Sequence, residues 1–490
     1  MNFTAADYLS ILPVGVLVLW ACLLLLVDLF LKKKTTTAWL AFLGLAVTLG
    51  VTLAQGTQAR AAFNGMISAD GFAVFLSVIL LASGMLGILL SLDYVRRLGI
   101  ERGEYYILLL FAVSGMMLMA YAADLIVVFL ALELFSIPLY ILAGFARPRA
   151  ESEESAMKYF LIGAFSSAIM VYGIALVYGA AGTTALNGIV AAMEGGGFNA
   201  TMMSIGGGLL LVGLGFKVGA APFHMWTPDV YQGAPSTVTA FMAVGAKAGG
   251  FAALLRIFVT AFSGHYALAS DIVPVVWGLA AVTMIVGNVL AISQRNIKRM
   301  LAYSSISHAG YILMAFVSYA QEGVARDAVA SALFYLLGFA VTSFGAWAAV
   351  IALERDEDGA DGLRRGLDLD DYAGLGTSHP AMALALTVFM LSLTGLPPTL
   401  GFAGKLFLFR TALEGGYTGL AVIGVLTSLV SAYYYLRLVI IMYMQDGEPV
   451  VRRERWSQAV LAASAVGTVA LTIFSAPLLD WAAKSVLQLF

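Results

Sequence analysis

The chain has 490 residues, of which 61% are hydrophobic and 11% charged, where soluble domains carry about 25% charged residues. Its formal charge of −2 says nothing about nucleic acid, and no basic patch points to a nucleic-acid partner. Cys22 is the only cysteine, so the chain builds no intrachain disulfide or iron–sulfur cluster, and His224, His265, His308 and His379 show no metal-ligand spacing.

Apolar runs of 18 or more residues recur along almost the whole length, each long enough to cross a bilayer as a helix. They are continuously apolar rather than alternating, which favours helices over a membrane β-barrel. About fourteen spans are expected, at 9–31, 38–55, 72–93, 105–121, 124–145, 156–179, 204–222 with a continuation to 232, 236–260, 272–292, 299–318, 328–353, 379–410 with a break, 418–443 and 457–484. The first span follows acidic Asp7 and has no small-residue cleavage site behind it, so it reads as a permanent helix rather than a signal peptide. The expected fold is an all-α polytopic membrane protein forming a single transmembrane domain over residues 1–490, because no Pro/Ser-rich linker divides it.

Lysine and arginine recur in every second loop: Lys32 to Lys34, Arg96 with Arg97 and Arg102, Arg147 with Arg149, Arg295 with Lys298 and Arg299, Arg355 with Arg364 and Arg365, and Arg452 with Arg453 and Arg455. The intervening loops offer little beyond Arg60 and Arg326. The bias places those basic loops in the cytoplasm and both termini outside it. The longest basic loop, 354–378, also holds acidic residues and reads as solvated.

One stretch, FKVGAAPFHMWTPDVYQGAP from Phe216 to Pro235, reads as a spanning helix that is interrupted. Pro222 leaves the carbonyl four residues earlier, that of Val218, without its helical partner. In hydrocarbon this is tolerated only where protein or water answers the carbonyl. A second interruption falls in SLTGLPPTLGFAGKLFLF, at Pro397 and Pro398. With five-helix units over 105–260 and 272–443, each break lies in the fourth helix of its unit, flanked by helices within 9–93 and 457–484. Five is odd, so the two units are inverted, the arrangement in which broken helices mark a transport site.

Ionisable residues stand inside these apolar runs: Glu133, Lys217, Lys247 and Lys405, with Lys158 near the start of its helix. A charge at a helix centre costs about 2.5–3.5 kcal/mol on insertion scales. Pairing Glu133 with Lys217 offsets the cost of each, and a static pair fixing helix register is the structural alternative. Lys158 is as well explained by snorkelling to the surface. His224 serves either to satisfy the broken helix or to relay protons. For His308, among Ser304, Ser305 and Ser307, a hydrogen bond to a neighbouring helix competes with a relay role. Three lysines bridged by histidine, serine and water make a proton path near mid-membrane, with the breaks as hinges.

The stretch KVGAAPFHMWTPDVYQGAPS resembles the broken seventh helix of the antiporter-like subunits of proton-pumping NADH:quinone oxidoreductase (respiratory complex I), and TPDVYQGAP is similar to the N-type branch. ALELFSIPLYILAGF, SAMKYFLIGAFSSA, QRNIKRMLAYSSISHAGYIL and LTGLPPTLGFAGKLFLF extend the likeness over essentially the whole chain. The resemblance implies fourteen helices, two inverted five-helix repeats and a proton channel. It makes Glu133 the helix-five glutamate, Lys217 its partner, Lys247 the central lysine and Lys405 the lysine of the distal half-channel. Lys158 and His224 match further family positions. M-type subunits carry glutamate where this chain has Lys405, which agrees with the N type. The resemblance implies a translocase subunit with no cofactor or metal of its own. Flavin and iron–sulfur clusters are expected in partner subunits, and M-type and K-type subunits as neighbours in a bacterial inner membrane. The alternatives are a subunit of an Mrp-type sodium/proton antiporter, a relative from a membrane-bound hydrogenase, and a scaffold that holds pump subunits together.

Overall fold

The computed structural model describes residues 4–56, 59–262, 269–321, 323–356 and 364–486. His265 and residues 357–363 of the acidic and basic loop lie outside them.

Among the described residues, twelve helices are long and apolar enough to cross a membrane. Leu12–Asp28, 17 residues long, and a helix interrupted between Thr394 and Leu400 bring the spans to fourteen. In chain order they are α1 (Leu12–Asp28), α2 (Lys34–Gln55), α3 (Gly71–Arg97), α4 (Gly103–Tyr121), α5 (Leu125–Ala143), α6 (Ala150–Ala181) and α7, split into α7a (Ala200–Val218) and α7b (Trp226–Gly233). Then come α8 (Ser236–Ala261), α9 (Ala269–Ile292), α10 (Ile297–Phe316), α11 (Ala325–Leu353), α12a (Pro380–Thr394) with α12b (Leu400–Glu414), α13 (Thr418–Met444) and α14 (Arg455–Ile473). Five spans run from α4 to α8 and five from α9 to α13, and the fourth of each is the broken one.

Side-chain caps start several of these helices. Asp70, Asp124, Asn199, Asn296 and Thr399 each accept a hydrogen bond from a first-turn amide, answering donors that lipid could not. The span expected at 457–484 is two helices, α14 and a separate helix Ser475–Ser485. Pro477 has no amide to give the carbonyl of Ile473, so the first helix ends there. The glycine-rich loop at 180–203 contains a short helix, Leu186–Glu194, whose Leu186, Ile189 and Met193 are buried on one face.

α8 is central: its whole spanning window is buried, against 28% for α14 at the rim. Small residues allow this. A Cβ on Gly249 would meet Met116 Cγ of α4 at 3.2 Å, and one on Gly250 would meet Val218 Cγ1 of α7a at 2.9 Å. α8 therefore lies close against the last turn of α7a, where the first break begins.

Candidate functional site

Both breaks are built the same way. Gly219 takes a left-handed φ of 73°, and the amides of Ala220 and Gly219 bond back to the carbonyls of Gly215 and Phe216. Gly395 has φ 88°, and Leu396 and Gly395 bond back to Leu391 and Ser392 in the same register. This is the Schellman ending, which only a residue tolerant of positive φ closes cheaply. Among the carbonyls it leaves without a backbone donor are those of Val218 in α7a and Thr394 in α12a.

A buried lysine meets each. Lys247 Nζ of α8 donates to the Val218 carbonyl at 2.8 Å. Lys405 Nζ of α12b donates to the Thr394 carbonyl at 2.8 Å and to Ser428 Oγ of α13 at 2.7 Å. Ser428 donates in turn to the same carbonyl at 3.0 Å. Both lysines are 3% exposed. The carbonyl that the sequence left orphaned at Val218 is thus answered by an ammonium, which the negative end of a helix favours. Pro222 lies in the turn between α7a and α7b, and Pro397 and Pro398 in the turn between α12a and α12b, with all three prolines at the surface.

Lys217 lies one residue before Val218. Its Nζ donates to Ser136 Oγ at 2.6 Å and to Tyr140 OH at 3.3 Å, inside a ring of Phe135, Tyr140, Tyr159 and Phe216 at 5.2–5.5 Å. Aromatic faces help to hold a desolvated cation. The expected direct pair with Glu133 is not formed. Glu133, half-buried, accepts from Ser167 Oγ of α6 at 2.6 Å. Each charge is answered by a hydroxyl, because Glu133 and Ser136 are neighbours on one face of α5 and Ser136 stands nearer the amine.

His308 of α10 does reach neighbouring helices. Its Nδ1 lies 2.5 Å from Tyr335 OH of α11 and its Nε2 lies 3.2 Å from Tyr435 OH of α13, which also bonds Ser304. A cavity of about 10 Å3 separates His308 and Tyr335 from Ser392 and Gly401 at the second break, near the lower limit for one water. Tyr311, one turn on, presents its ring to Lys405 Nζ at 4.6 Å.

Two candidates lie apart from this line. Lys158 does not merely snorkel: its Nζ is 2.7 Å from both Glu154 and Asp229, and Asp229 also takes Arg299 at 2.7 Å. That cluster joins α6, α7b and α10 at the basic end of the bundle. His224 sits half-buried in the turn after α7a, and no hydrogen bond joins it to Lys217, Lys247 or Lys405.

The chain matches the family described as NADH:quinone oxidoreductase/Mrp antiporter, TM, over residues 122–431. It is 46% identical over 497 residues to NADH-quinone oxidoreductase subunit N of Chloroflexus aggregans, covering 100% of this chain and 99% of that protein. The chain belongs to the NADH-quinone oxidoreductase subunit N family. A chain of respiratory complex I from Thermus thermophilus, solved with bound aureothin, superimposes with a TM-score of 0.81 at 34% identity, covering 96% of this chain and 98% of that one. A chain of the Mrp complex from Dietzia sp. DQ12-45-1b shares the fold at TM-score 0.84 and 21% identity, over 99% and 98% of the two chains. The subunit N likeness covers every buried lysine described above, whereas the Mrp likeness is one of fold.

Within this subunit N chain, sequence reasoning passes over several polar residues. Lys298, counted as a loop charge, is fully buried and donates to the carbonyl of Ala234 at the end of α7b at 2.7 Å. Arg256 of α8 and Asp70 form a buried bidentate ion pair at 2.6 and 2.9 Å, and Arg256 also donates to the Ala120 carbonyl. Arg256 stands in GGFAALLRIFV, a signal of the same kind as the one that picks out Lys247. Tyr335, Tyr435 and Ser428 gave no such signal, since hydroxyls in apolar helices are common.

Proposed function

We propose that this subunit N chain moves protons through NADH-quinone oxidoreductase along a buried line from Glu133 and Lys217, through Lys247 and His308, to Lys405. Electron transfer in other subunits drives it. The observation that carries this reading is the repeated contact of a buried lysine with the last carbonyl of a broken helix, Lys247 on Val218 and Lys405 on Thr394. Such a lysine has two states to choose between. It can cap the helix as an ammonium or release a proton and let the turn move, since lysine's pKa shifts readily in low dielectric. The two units, 105–260 and 272–443, act as inverted halves of one transmembrane domain, each with its own lysine at its own break. Lys158 and Asp229, with Arg299 as a fixed charge on Asp229, supply protonatable groups at the basic end, and His224 serves the turn.

The chain works without a cofactor or metal, and flavin and iron–sulfur clusters reside in partner subunits. Its neighbours are M-type and K-type subunits in a bacterial inner membrane, with both termini on the periplasmic side. Cysteines placed in the 180–203 loop should label from outside and those in the 354–378 loop from the cytoplasm, and labelling of both from one side would overturn this topology. Purification from the native membrane should bring flavin and iron–sulfur subunits along. Sodium transport by the chain without them would favour an Mrp-type antiporter instead.

The deciding experiment is Lys247→Arg in the assembled complex. Arginine keeps the charge but effectively cannot release its proton. NADH-driven proton translocation should fall several-fold, to resemble Lys247→Ala. Normal pumping by Lys247→Arg beside a defective Lys247→Ala would show that only a fixed charge is needed there. Defects in assembly alone would favour the scaffold.

A further inference from the structure

A groove of about 900 Å3 runs down the outside of the bundle between α12a and α14. Its walls are apolar: Leu384 and Val388 from α12a, and Leu461, Val466, Val469 and Ile473 from α14. Alanines on both walls, Ala381 and Ala385 facing Ala462, Ala465 and Ala470, give it depth. Leu384, Val466 and Ile473 are 61%, 67% and 79% exposed, so the groove opens outward.

One end differs. α12a and α14 both begin at the basic end of the bundle, and there the groove is lined by Ser378, His379, Arg453 and Gln458. Arg453 is exposed and makes no ion pair with another described residue. Its neighbour Glu454 is taken by Arg97 at 2.6 Å, so the mouth keeps a surplus positive charge. From Gln458 to Ile473 the apolar wall continues for fifteen residues, about 22 Å at 1.5 Å per residue. That exceeds half of a hydrocarbon core about 30 Å thick, enough for an extended acyl chain.

We propose that this groove is a binding site for an anionic phospholipid, its phosphate on Arg453 and His379 and an acyl chain between α12a and α14. A cation at headgroup depth above an apolar slot is the arrangement that recognises an acidic lipid at the cytoplasmic face. A neighbouring apolar helix would fill the slot but leave Arg453 without an anion. The site also has a consequence for α12a. Thr342 of α11 bonds Ser392 of α12a at 3.1 Å and Thr468 of α14 at 3.5 Å, so a lipid in the slot adds a second tie between α12a and α14. The inference stands independently of the proton line.

The test uses the whole complex in vesicles of phosphatidylcholine with a tenth of phosphatidylglycerol bearing a photoactivatable acyl chain. Peptides spanning 380–388 and 461–473 should be labelled. Unlabelled phosphatidylglycerol should compete and phosphatidylcholine should not. Arg453→Glu, at an exposed position, should reduce labelling several-fold, and Ala465→Trp should reduce it by filling the slot. Three results would overturn the proposal: equal labelling by a phosphatidylcholine probe, labelling insensitive to Arg453→Glu, or crosslinking of these peptides to another subunit in place of lipid.

Discussion

Lys247 Nζ and the carbonyl oxygen of Val218 stand 2.8 Å apart, joining the middle of α8 to the last turn of α7a. The pair has a counterpart in Lys405 and Thr394 at the same distance, with the lysine supplied from a different place. In the first unit it comes from the helix after the break, in the second from the far side of the break itself. On α13, the helix that follows the second break, Ser428 takes the position of the missing amine and bonds both Lys405 and Thr394. The chemistry of the contact is kept while its source changes.

The glycines at the breaks should differ in tolerance. Alanine at either pays the left-handed cost of about 1–2 kcal/mol. At Gly395 the new Cβ also meets Lys405 Cδ at 2.7 Å, while at Gly219 the nearest atom is Thr227 Oγ1 at 3.2 Å. Gly395→Ala should therefore depress both the melting temperature and NADH-driven pumping more than Gly219→Ala. The reverse order in a side-by-side assay would mean that the second break does not depend on the seating of Lys405.

Glu133 and Lys217 should be coupled through Ser136. Ser136→Ala removes the 2.6 Å bond to Lys217, and Glu133→Gln removes the charge one turn away. Residues in one polar network show coupling of about 0.5–3 kcal/mol rather than additivity. Both single variants should assemble and pump several-fold more slowly, and the double variant should lose less than the product of the two effects. Strict additivity in pumping rates would place Glu133 in a separate function.

The Arg256–Asp70 pair should carry stability rather than transport. Its side chains are 4% and 1% exposed, and breaking a buried pair from one side costs about 3–5 kcal/mol. Asp70 also caps α3 by accepting from Ala73 N at 2.9 Å. Asp70→Asn should lower the melting temperature of the purified complex and its yield, while the complex that does assemble pumps normally per NADH oxidised. A specific pumping defect at normal stability would move this pair into the proton line.

A pH dependence is expected at the N-terminal helix Ala5–Ser10. Hydrogen bonds from the Thr4 backbone and side chain and from the Phe63 amide hold the Asp7 carboxyl below its usual value. A lowered folded value means that the anchoring is complete above about pH 4, the ordinary aspartate range, and is lost as pH falls through the folded value. Hydrogen-exchange protection over residues 4–10, taken relative to the intrinsic rate at each pH, should be high at pH 6 and fall below pH 4. Asp7→Asn should be poorly protected at both.

What the amino-acid sequence determined by itself is whatever rests on local chemistry. Continuous hydropathy set the number of spans, because crossing a bilayer requires a run of apolar residues whatever surrounds it. Pro222, and Pro397 with Pro398, marked both breaks, because proline lacks an amide in any context. The cost of an ion in hydrocarbon picked out Glu133, Lys217, Lys247 and Lys405 in the same way. Which groups meet was decided only by the tertiary structure. A partner for Lys217 depends on how α5 and α7a are set against each other, and Ser136, about 60° round and about 4.5 Å along α5 from Glu133, takes the place expected for Glu133. Arg256 finds Asp70 186 residues away, and His308 finds Tyr335 and Tyr435 on two other helices, at separations that no local pattern encodes. Apolar helices specify that they pack, and the shapes of their side chains, met in three dimensions, specify against what.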